Sequence, residues 1–162
     1  MIDEAHKLII QPRFNHDKLL AKFSIPVTSH VVKKNRRPIY RAAGRPFIGK
    51  SKELRSAEEH LELHLRSQAT SMKLKCPLNA LIWALFEFYF PHDVFYSKST
   101  GEPSRRLPDL SNLLELPQDS LQRVGIIEND TQIHSLDLSR RLPGTEYRLD
   151  IYLLKYEDLS LV

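Results

Sequence analysis

The sequence predicts an α/β domain with a small mixed β-sheet and two main helices, in the order strand, helix, strand, helix, strand, strand. Two segments repeat apolar residues at the three- and four-residue spacing of an amphipathic helix, and other segments are rich in β-branched and aromatic residues. The chain has 162 residues, which suits one domain over residues 1–162 with a core of its own. Its single cysteine, Cys76, excludes an internal disulfide framework and a cysteine-rich zinc site.

The first half of the chain predicts a strand, a basic loop and a helix. Residues 19–27 favour a strand that ends beside a proline. Residues 31–50 contain two prolines and two glycines, and they predict a long basic loop or arm. Ser51 has the side chain of a helix N-cap, and the helix predicted over residues 52–68 carries an apolar stripe on one face.

The second half of the chain begins with a predicted buried strand. Residues 76–91 are rich in aromatic side chains and bounded by prolines, although a short helix is an alternative. Residues 92–108 predict a polar loop. Over residues 109–124 the leucines fall within one arc at about 100° per residue, which predicts a helix. Pro117 predicts a kink or a restart of that helix, and Gly125 predicts its end.

The last two strands are predicted to form a β-hairpin. Pro143 and Gly144 mark its turn. From Tyr147 to Leu153 apolar and polar residues alternate with the period of a half-buried strand. The sheet would therefore end in two strands that pair with each other.

Positive charge is concentrated in one segment. The formal net charge is +4, yet the segment from Lys33 to Arg55 holds nine lysines and arginines against one acid, Glu53. Such asymmetry indicates a polyanionic partner, although a solvated basic loop is the alternative. The candidate DNA contacts are Lys33, Lys34, Asn35, Arg36, Arg37, Arg41, Arg45, Lys50, Arg105, Arg106 and Arg140.

Oxygen-bearing side chains are spaced along the second predicted helix and the loop after it. They are Asp109, Asn112, Asp119, Glu128 and Asp130. A polar helix face is often only solvated, and capping alone could explain an aspartate at a helix start. However, Mg²⁺ takes oxygen ligands, usually one or two carboxylates together with water and substrate phosphate. Acidic residues in a protein with a basic arm are therefore a candidate metal site for phosphodiester hydrolysis.

The stretch from Pro108 to Ile133 resembles the signature of the RusA family of Holliday junction resolvases, which are crossover-junction endodeoxyribonucleases. That signature has an Asp-x-Asp-Asn helix start, a later Asp-x-Leu, a glycine and a closing Asp-Asp-x-Gln followed by an apolar residue. The matching residues here are Asp109, Asn112, Asp119, Leu121, Gly125, Asp130, Gln132 and Ile133. The basic arm is also similar to the arm that precedes the first helix in the family.

The resemblance implies a RusA-like mixed α/β fold, a homodimer and Mg²⁺-dependent paired nicking of four-way junction DNA in recombination and repair, with Mn²⁺ as a substitute. It makes Asp109 and Asp130 the leading catalytic residues and metal ligands, with Asp119 in support. Asn112 and Glu128 complete the predicted ligand set. We expect a cytoplasmic protein, encoded by a bacterium or a phage, with no membrane partner, because no segment is long and apolar enough to span a bilayer.

Three positions depart from the family signature. Ser111 and Asn129 stand where the signature has aspartates, and Glu115 stands where the family often has a lysine. These exchanges leave two alternatives open. One is a junction or nucleic-acid binding protein that cuts DNA weakly, and the other is an RNA-binding or structural dimer that shares only the fold.

Overall fold

The computed structural model of the chain describes residues 18–30 and 39–156. It contains two main helices, one short helix and seven strands within these ranges, which confirms the predicted mixed α/β class. In chain order the elements are β1 (Leu19–Pro26), β2 (Ile39–Ala42), β3 (Arg45–Ile48), α1 (Lys52–Ser71), β4 (Ile82–Pro91), α2 (His92–Phe95), α3 (Leu110–Arg123), β5 (Ile133–Ser135), β6 (Arg140–Gly144) and β7 (Arg148–Lys155).

The main sheet is built around β4. On one side β4 pairs antiparallel with β7, which pairs antiparallel with β1. On the other side β4 pairs in parallel with β5 near its start and with β6 along its second half. Because β4 has neighbours on both sides, most of its side chains are buried, as expected for a central strand.

One face of this sheet carries the hydrophobic core. Phe23 of β1, Phe86 of β4 and Ile151 of β7 are fully buried there, and apolar side chains of both main helices pack against them. Helix α1 begins where the sequence predicts, because the Ser51 hydroxyl accepts a hydrogen bond from the Leu54 amide at 3.1 Å. Burial of the apolar helix faces on the sheet is what holds the helices in place.

The other face of the sheet carries a row of charged and polar side chains. Glu87 faces Asp150 across the β4–β7 pair, and each carboxylate is almost fully buried. Arg140 contacts Glu87 at 2.8 Å, and Ser24 donates to Asp150 at 2.7 Å. Burial, and then the charge of Glu87, raise the pKa of Tyr89 to about 12. Each buried charge thus has an opposite charge or a hydrogen-bond donor beside it.

The predicted C-terminal hairpin is wrong. Strands β6 and β7 pair with opposite sides of β4 rather than with each other. The turn at Pro143 and Gly144 therefore leads the chain across the end of β4. A turn signal is local, so it marks the reversal of the chain but not the strand that each arm pairs with.

The predicted loop over residues 31–50 is also wrong in part. Strands β2 and β3 form a separate two-stranded hairpin, whose connecting residues Ala43 and Gly44 have φ of 49° and 75°. Two consecutive residues with positive φ are typical of a tight hairpin turn that matches strand twist. Residues 31–38, with the first part of the predicted arm, lie outside the described residues.

Two further details of the elements differ from the sequence prediction. β4 begins at Ile82 rather than at residue 76, so residues 76–81 form a connection between α1 and the strand. Helix α3 runs through Pro117 without a restart, and that proline is buried in the core. The buried contacts of the proline ring offset the backbone hydrogen bond that it cannot donate. No described helix is long and apolar enough to cross a bilayer.

Candidate active site

Asp109 occupies the N-cap position of α3 but does not act as a cap. Its carbonyl oxygen accepts the amides of Asn112 and Leu113 at 3.1 and 3.2 Å, whereas its carboxylate makes no capping hydrogen bond. An aspartate at this position would ordinarily accept an amide of the first turn. The carboxylate is exposed at the positive end of a 14-residue helix. Capping therefore does not explain why an aspartate stands here.

Three arginines lie near the start of α3, two of them along the chain and one by a direct contact. Arg105 and Arg106 are exposed in the segment that leads into the helix. Arg141 of β6 donates a hydrogen bond at 3.0 Å to the carbonyl oxygen of Pro108. Sequence reasoning missed Arg141. The signal that could have found it is the strand period, because consecutive residues of β6 point to opposite faces of the sheet.

Arg140, one of the predicted DNA contacts, lies on a different face of the sheet from Arg141. Its guanidinium contacts the buried carboxylate of Glu87 at 2.8 Å on the sheet face opposite the helices. This pair holds Arg140 away from the start of α3. The neighbouring Arg141 instead contacts the carbonyl oxygen of Pro108, one residue before Asp109.

Asp130 is exposed at the start of a 3₁₀ turn, Asp130–Gln132, which follows α3. The side chain of Asn129 caps this turn by accepting the Thr131 amide at 2.9 Å. An amide oxygen fills that capping role as well as a carboxylate does. The exchange of aspartate for asparagine at 129 is therefore structurally neutral.

Gln132 fixes the position of the Asp130 turn. Its side-chain oxygen accepts the amides of Glu128 and Asn129 at 2.7 and 3.2 Å. Its side-chain nitrogen donates to the carbonyl oxygens of Leu78 and Ala80 at 2.7 and 3.3 Å. Gln132 thus binds the turn to the segment before β4. This structural role explains why the family signature has a glutamine at this position.

The structure does not bring Asp109, Asp119 and Asp130 together within one chain. At about 1.5 Å of rise per residue, Asp119 lies roughly 15 Å along α3 from Asp109. The chain after α3 is tied to the last helical turn, since Ile126 donates its amide to Leu121 at 3.0 Å. Asp130 therefore lies near the opposite end of α3 from Asp109. In residues 18–30 and 39–156, no three His, Cys, Asp or Glu side chains could hold a metal ion jointly.

The donor chemistry at the start of α3 nevertheless fits a hard divalent cation. The Asp109 carboxylate and the Asn112 amide are both exposed and lie one helical turn apart. Mg²⁺ commonly keeps several waters and uses only one or two carboxylates together with substrate phosphate. The residues fit an open site of this kind rather than a cage made entirely of protein ligands. Glu128, also exposed, belongs to the Asp130 end of the helix.

The predicted contacts within the basic arm, residues 31–50, fall into three groups. Lys33, Lys34, Asn35, Arg36 and Arg37 lie outside the described residues. Arg41 and Arg45 are exposed on the β2–β3 hairpin. The Lys50 ammonium forms a salt bridge with Glu58 at 2.8 Å, and Glu58 also contacts Arg123 of α3 at 3.0 Å. Glu58 thus joins α1 to α3 through Arg123 and also engages Lys50. Arg41 and Arg45 are exposed on the hairpin and are the arm's described candidates for phosphate contact.

A cavity of about 480 Å³ opens between α1, α3 and the segment after β1. Its lining includes Asn112 of α3 and the buried ring of His30. His30 Nε2 lies 2.9 Å from the carbonyl oxygen of Tyr89 and 3.1 Å from that of Arg148. Burial lowers the pKa of His30 to about 4, against the partial effect of these two hydrogen bonds. Sequence reasoning missed His30, because nothing in its neighbourhood marks it as buried.

The sequence matches a known protein family. A protein-family model described as Endodeoxyribonuclease RusA matches residues 29–153, which include the candidate site, most residues that line the cavity and both main helices. No curated protein matches the sequence.

Proposed function

The chain belongs to the RusA family of endodeoxyribonucleases, and we propose that it resolves Holliday junctions by divalent-metal-dependent hydrolysis of phosphodiester bonds. The observation that carries the proposal is the uncapped carboxylate of Asp109, exposed between arginines at the start of α3. The Asp109 carboxylate is negative, as is a DNA phosphate, so the two would repel each other. The carboxylate suits a phosphate substrate only if a metal cation lies between the two groups.

We propose that Asp109 and Asn112 hold Mg²⁺, with Mn²⁺ as a substitute, and that water and a DNA phosphate fill the other positions. Bound there, the ion would polarise the phosphate and lower the pKa of an attacking water. Asp119 and Glu128 remain proposed supporting groups. Neither would share a metal ion with Asp109 of the same chain, because both lie towards the other end of α3.

The arginines near Asp109 would orient the scissile phosphate. A guanidinium offers a planar set of donors that matches two phosphate oxygens. Arg105 and Arg106 are exposed before α3, and Arg141 approaches Pro108 from β6. The amides of the first helical turn add positive potential at the same place. Substrate would thus be bound by fixed donors around one carboxylate.

The separation of Asp109 from Asp130 supports a homodimer. One chain places them near opposite ends of α3, and paired nicks require two cutting sites. We propose that a second copy brings its Asp130 towards Asp109 of the first, so that each site draws on both chains. Symmetric dimers form such reciprocal contacts by their own two-fold axis. The setting would be DNA recombination and repair in the cytoplasm of a bacterial or phage-infected cell.

A cleavage assay tests this function. A labelled four-way junction and a duplex of the same sequence are incubated with Mg²⁺, with Mn²⁺ and with EDTA. The expected result is a symmetric pair of nicks in the junction alone, lost in EDTA. Cutting that persists in EDTA, or equal cutting of the duplex, would contradict the proposal.

A second candidate function is junction binding with little cutting. The observation that favours it is the absence of two signature carboxylates, at Ser111 and Asn129, since the Asn129 side chain is used as a cap. This candidate predicts tight, salt-sensitive binding to the junction and no nicks with either metal. The same assay, read beside a binding titration, separates the two functions. Stronger binding to RNA than to junction DNA would instead indicate an RNA-binding protein.

A further inference from the structure

We propose that the cavity between α1 and α3 receives one unstacked nucleobase of the junction, beside the phosphate held near Asp109. The inference rests on the proposed function and adds to it a contact with a base. Contacts to phosphates position a nuclease on DNA, whereas contacts to bases give it a preference among sequences.

The cavity adjoins the candidate active site. Asn112 lies on its rim and donates its backbone amide to the carbonyl oxygen of Asp109 at 3.1 Å. Leu113 and Leu116 continue the same wall along α3. A nucleotide whose phosphate lies at Asp109 could therefore direct its base towards this opening. Its volume, about 480 Å³, is within the range of pockets that take small organic groups, roughly 300–1,000 Å³.

His30 supplies the cavity with a hydrogen-bond acceptor. It is 8% exposed, and Nε2 lies within hydrogen-bond distance of two carbonyl oxygens, so Nε2 carries the proton. Because burial keeps the ring neutral at ordinary pH, Nδ1 is left as an acceptor. Among the described residues Nδ1 has no hydrogen-bond partner. An accessible imidazole nitrogen of this kind can accept a hydrogen bond from a ligand or from water.

The chemistry of the lining matches a nucleobase. Its walls include Leu54, Leu61 and the ring of Phe88, which can contact the apolar faces of a planar group. The polar side of the lining includes Nδ1 of His30 as an acceptor and the Asn112 amide as a mixed donor and acceptor. Its other polar residues are Thr28, Ser29, Glu53, Ser56 and His60. A nucleobase has apolar faces and an edge with N–H donors. Its faces can contact the apolar walls, and its edge can donate hydrogen bonds to the polar groups of the cavity. Bases beside the crossover of a junction are also easier to unstack than bases inside a duplex.

Filling the cavity tests the proposal. Ala57 of α1 is half-buried in the cavity wall, and Ala57→Phe would occupy the space of a base. Ser67, exposed on the same helix and outside the lining, gives the matched control Ser67→Phe. Dissociation constants are measured for the intact junction and for junctions with an abasic nucleotide at each crossover position in turn. Ca²⁺ replaces Mg²⁺ so that the DNA stays intact.

The wild type is expected to lose about tenfold in affinity when one particular base is removed, which is typical of one buried base contact. The Ala57→Phe variant should bind the intact junction as weakly as the wild type binds the junction that lacks that base. Removal of the base should not change the affinity of the variant. Ser67→Phe should behave as the wild type. At the same position, a base analogue without its exocyclic amino group should cost roughly fivefold, because it cannot donate a hydrogen bond to Nδ1.

Two results would overturn the proposal. One is an abasic scan of the wild type without any sensitive position, and the other is full sensitivity retained in a folded Ala57→Phe protein. If Ala57→Phe does not fold, Leu116→Phe fills the same cavity from α3 and takes its place. Either failure would leave junction binding and nicking intact. Failure of the proposed function would instead appear as a wild type that neither prefers nor cuts junctions.

Discussion

Gln132 donates a hydrogen bond from its side-chain nitrogen to the carbonyl oxygen of Leu78 at 2.7 Å, joining the turn after α3 to the segment before β4. The other end of the same amide accepts the backbone amide of Glu128 at 2.7 Å. Asp130 lies between these attachments, so its position depends on a residue that is not itself a candidate ligand. Both the oxygen and the nitrogen of the Gln132 amide form hydrogen bonds that hold the turn. The family signature therefore specifies the geometry of the turn as well as its charges.

Replacing Gln132 with glutamate should destabilise the protein. A carboxylate cannot donate to the Leu78 carbonyl, so a hydrogen bond becomes a repulsive contact. The expected decrease is about 1–3 kcal/mol in the free energy of unfolding, measured by urea denaturation. Gln122→Glu, at an exposed position of α3, is the control and should change stability little. Equal stability of the two variants would show that Gln132 does not hold the turn.

Asp109→Asn should abolish cutting and preserve junction binding. The carboxylate makes no capping bond, so its removal should leave the fold unchanged. We expect roughly a 100-fold or greater fall in the nicking rate, because a neutral amide binds a divalent cation weakly. Glu102→Gln, exposed in the preceding loop, is the matched control. Nicking at the wild-type rate by Asp109→Asn would remove Asp109 from the mechanism.

Ser111→Asp should restore a carboxylate that the family signature has. Ser111 is exposed in the first turn of α3, where a negative charge is also favoured by the helix dipole. The variant should need less Mg²⁺ for half-maximal nicking, and its thermal stability should be equal or slightly higher. A metal titration of the nicking rate measures this. An unchanged titration would mean that position 111 does not contact the ion.

Removing Arg41 and Arg45 from the β2–β3 hairpin should weaken junction binding in a salt-dependent way. For each phosphate that is no longer bound, the slope of log affinity against log salt should decrease in magnitude by about 0.9. Lys50→Ala should change the slope less, because Glu58 already holds its ammonium at 2.8 Å. Fluorescence anisotropy at several salt concentrations gives the slopes. Identical slopes for the wild type and the double variant would exclude the hairpin from the DNA interface.

His30 should make the protein less stable in mild acid. Its pKa is about 4 in the folded chain and near 6.5 when unfolded, so the unfolded state binds the proton first as pH falls. Stability is therefore expected to fall between pH 6.5 and about 4, by about 3 kcal/mol in all.

The free energy of unfolding at several pH values measures this effect. His30→Gln should flatten the dependence, whereas His134→Gln, at an exposed position, should leave it unchanged. A wild type whose stability does not vary over this range would contradict the burial of a neutral imidazole.

Local patterns predict much of the fold. Ser51 and the apolar stripe after it predict α1, and the arc of leucines after Asp109 predicts α3, because capping and amphipathicity act within a few residues. The alternation after Tyr147 likewise finds β7. The hairpin prediction failed at Gly144, since strand pairing depends on distant residues. β4 lies between β6 and β7, and no turn signal records that insertion.

The sequence by itself determined the class of fold, the family signature and the residue types of the candidate site. Only the tertiary structure decided how those residues are distributed. It separated Asp109 from Asp130 along a rigid helix, engaged Arg140 with a buried glutamate and brought Arg141 to the start of α3. It also buried His30 beside a cavity. The periodicity of a helix or strand determines which face of the element a residue occupies. The residues that this face contacts depend on how elements distant in the sequence pack together.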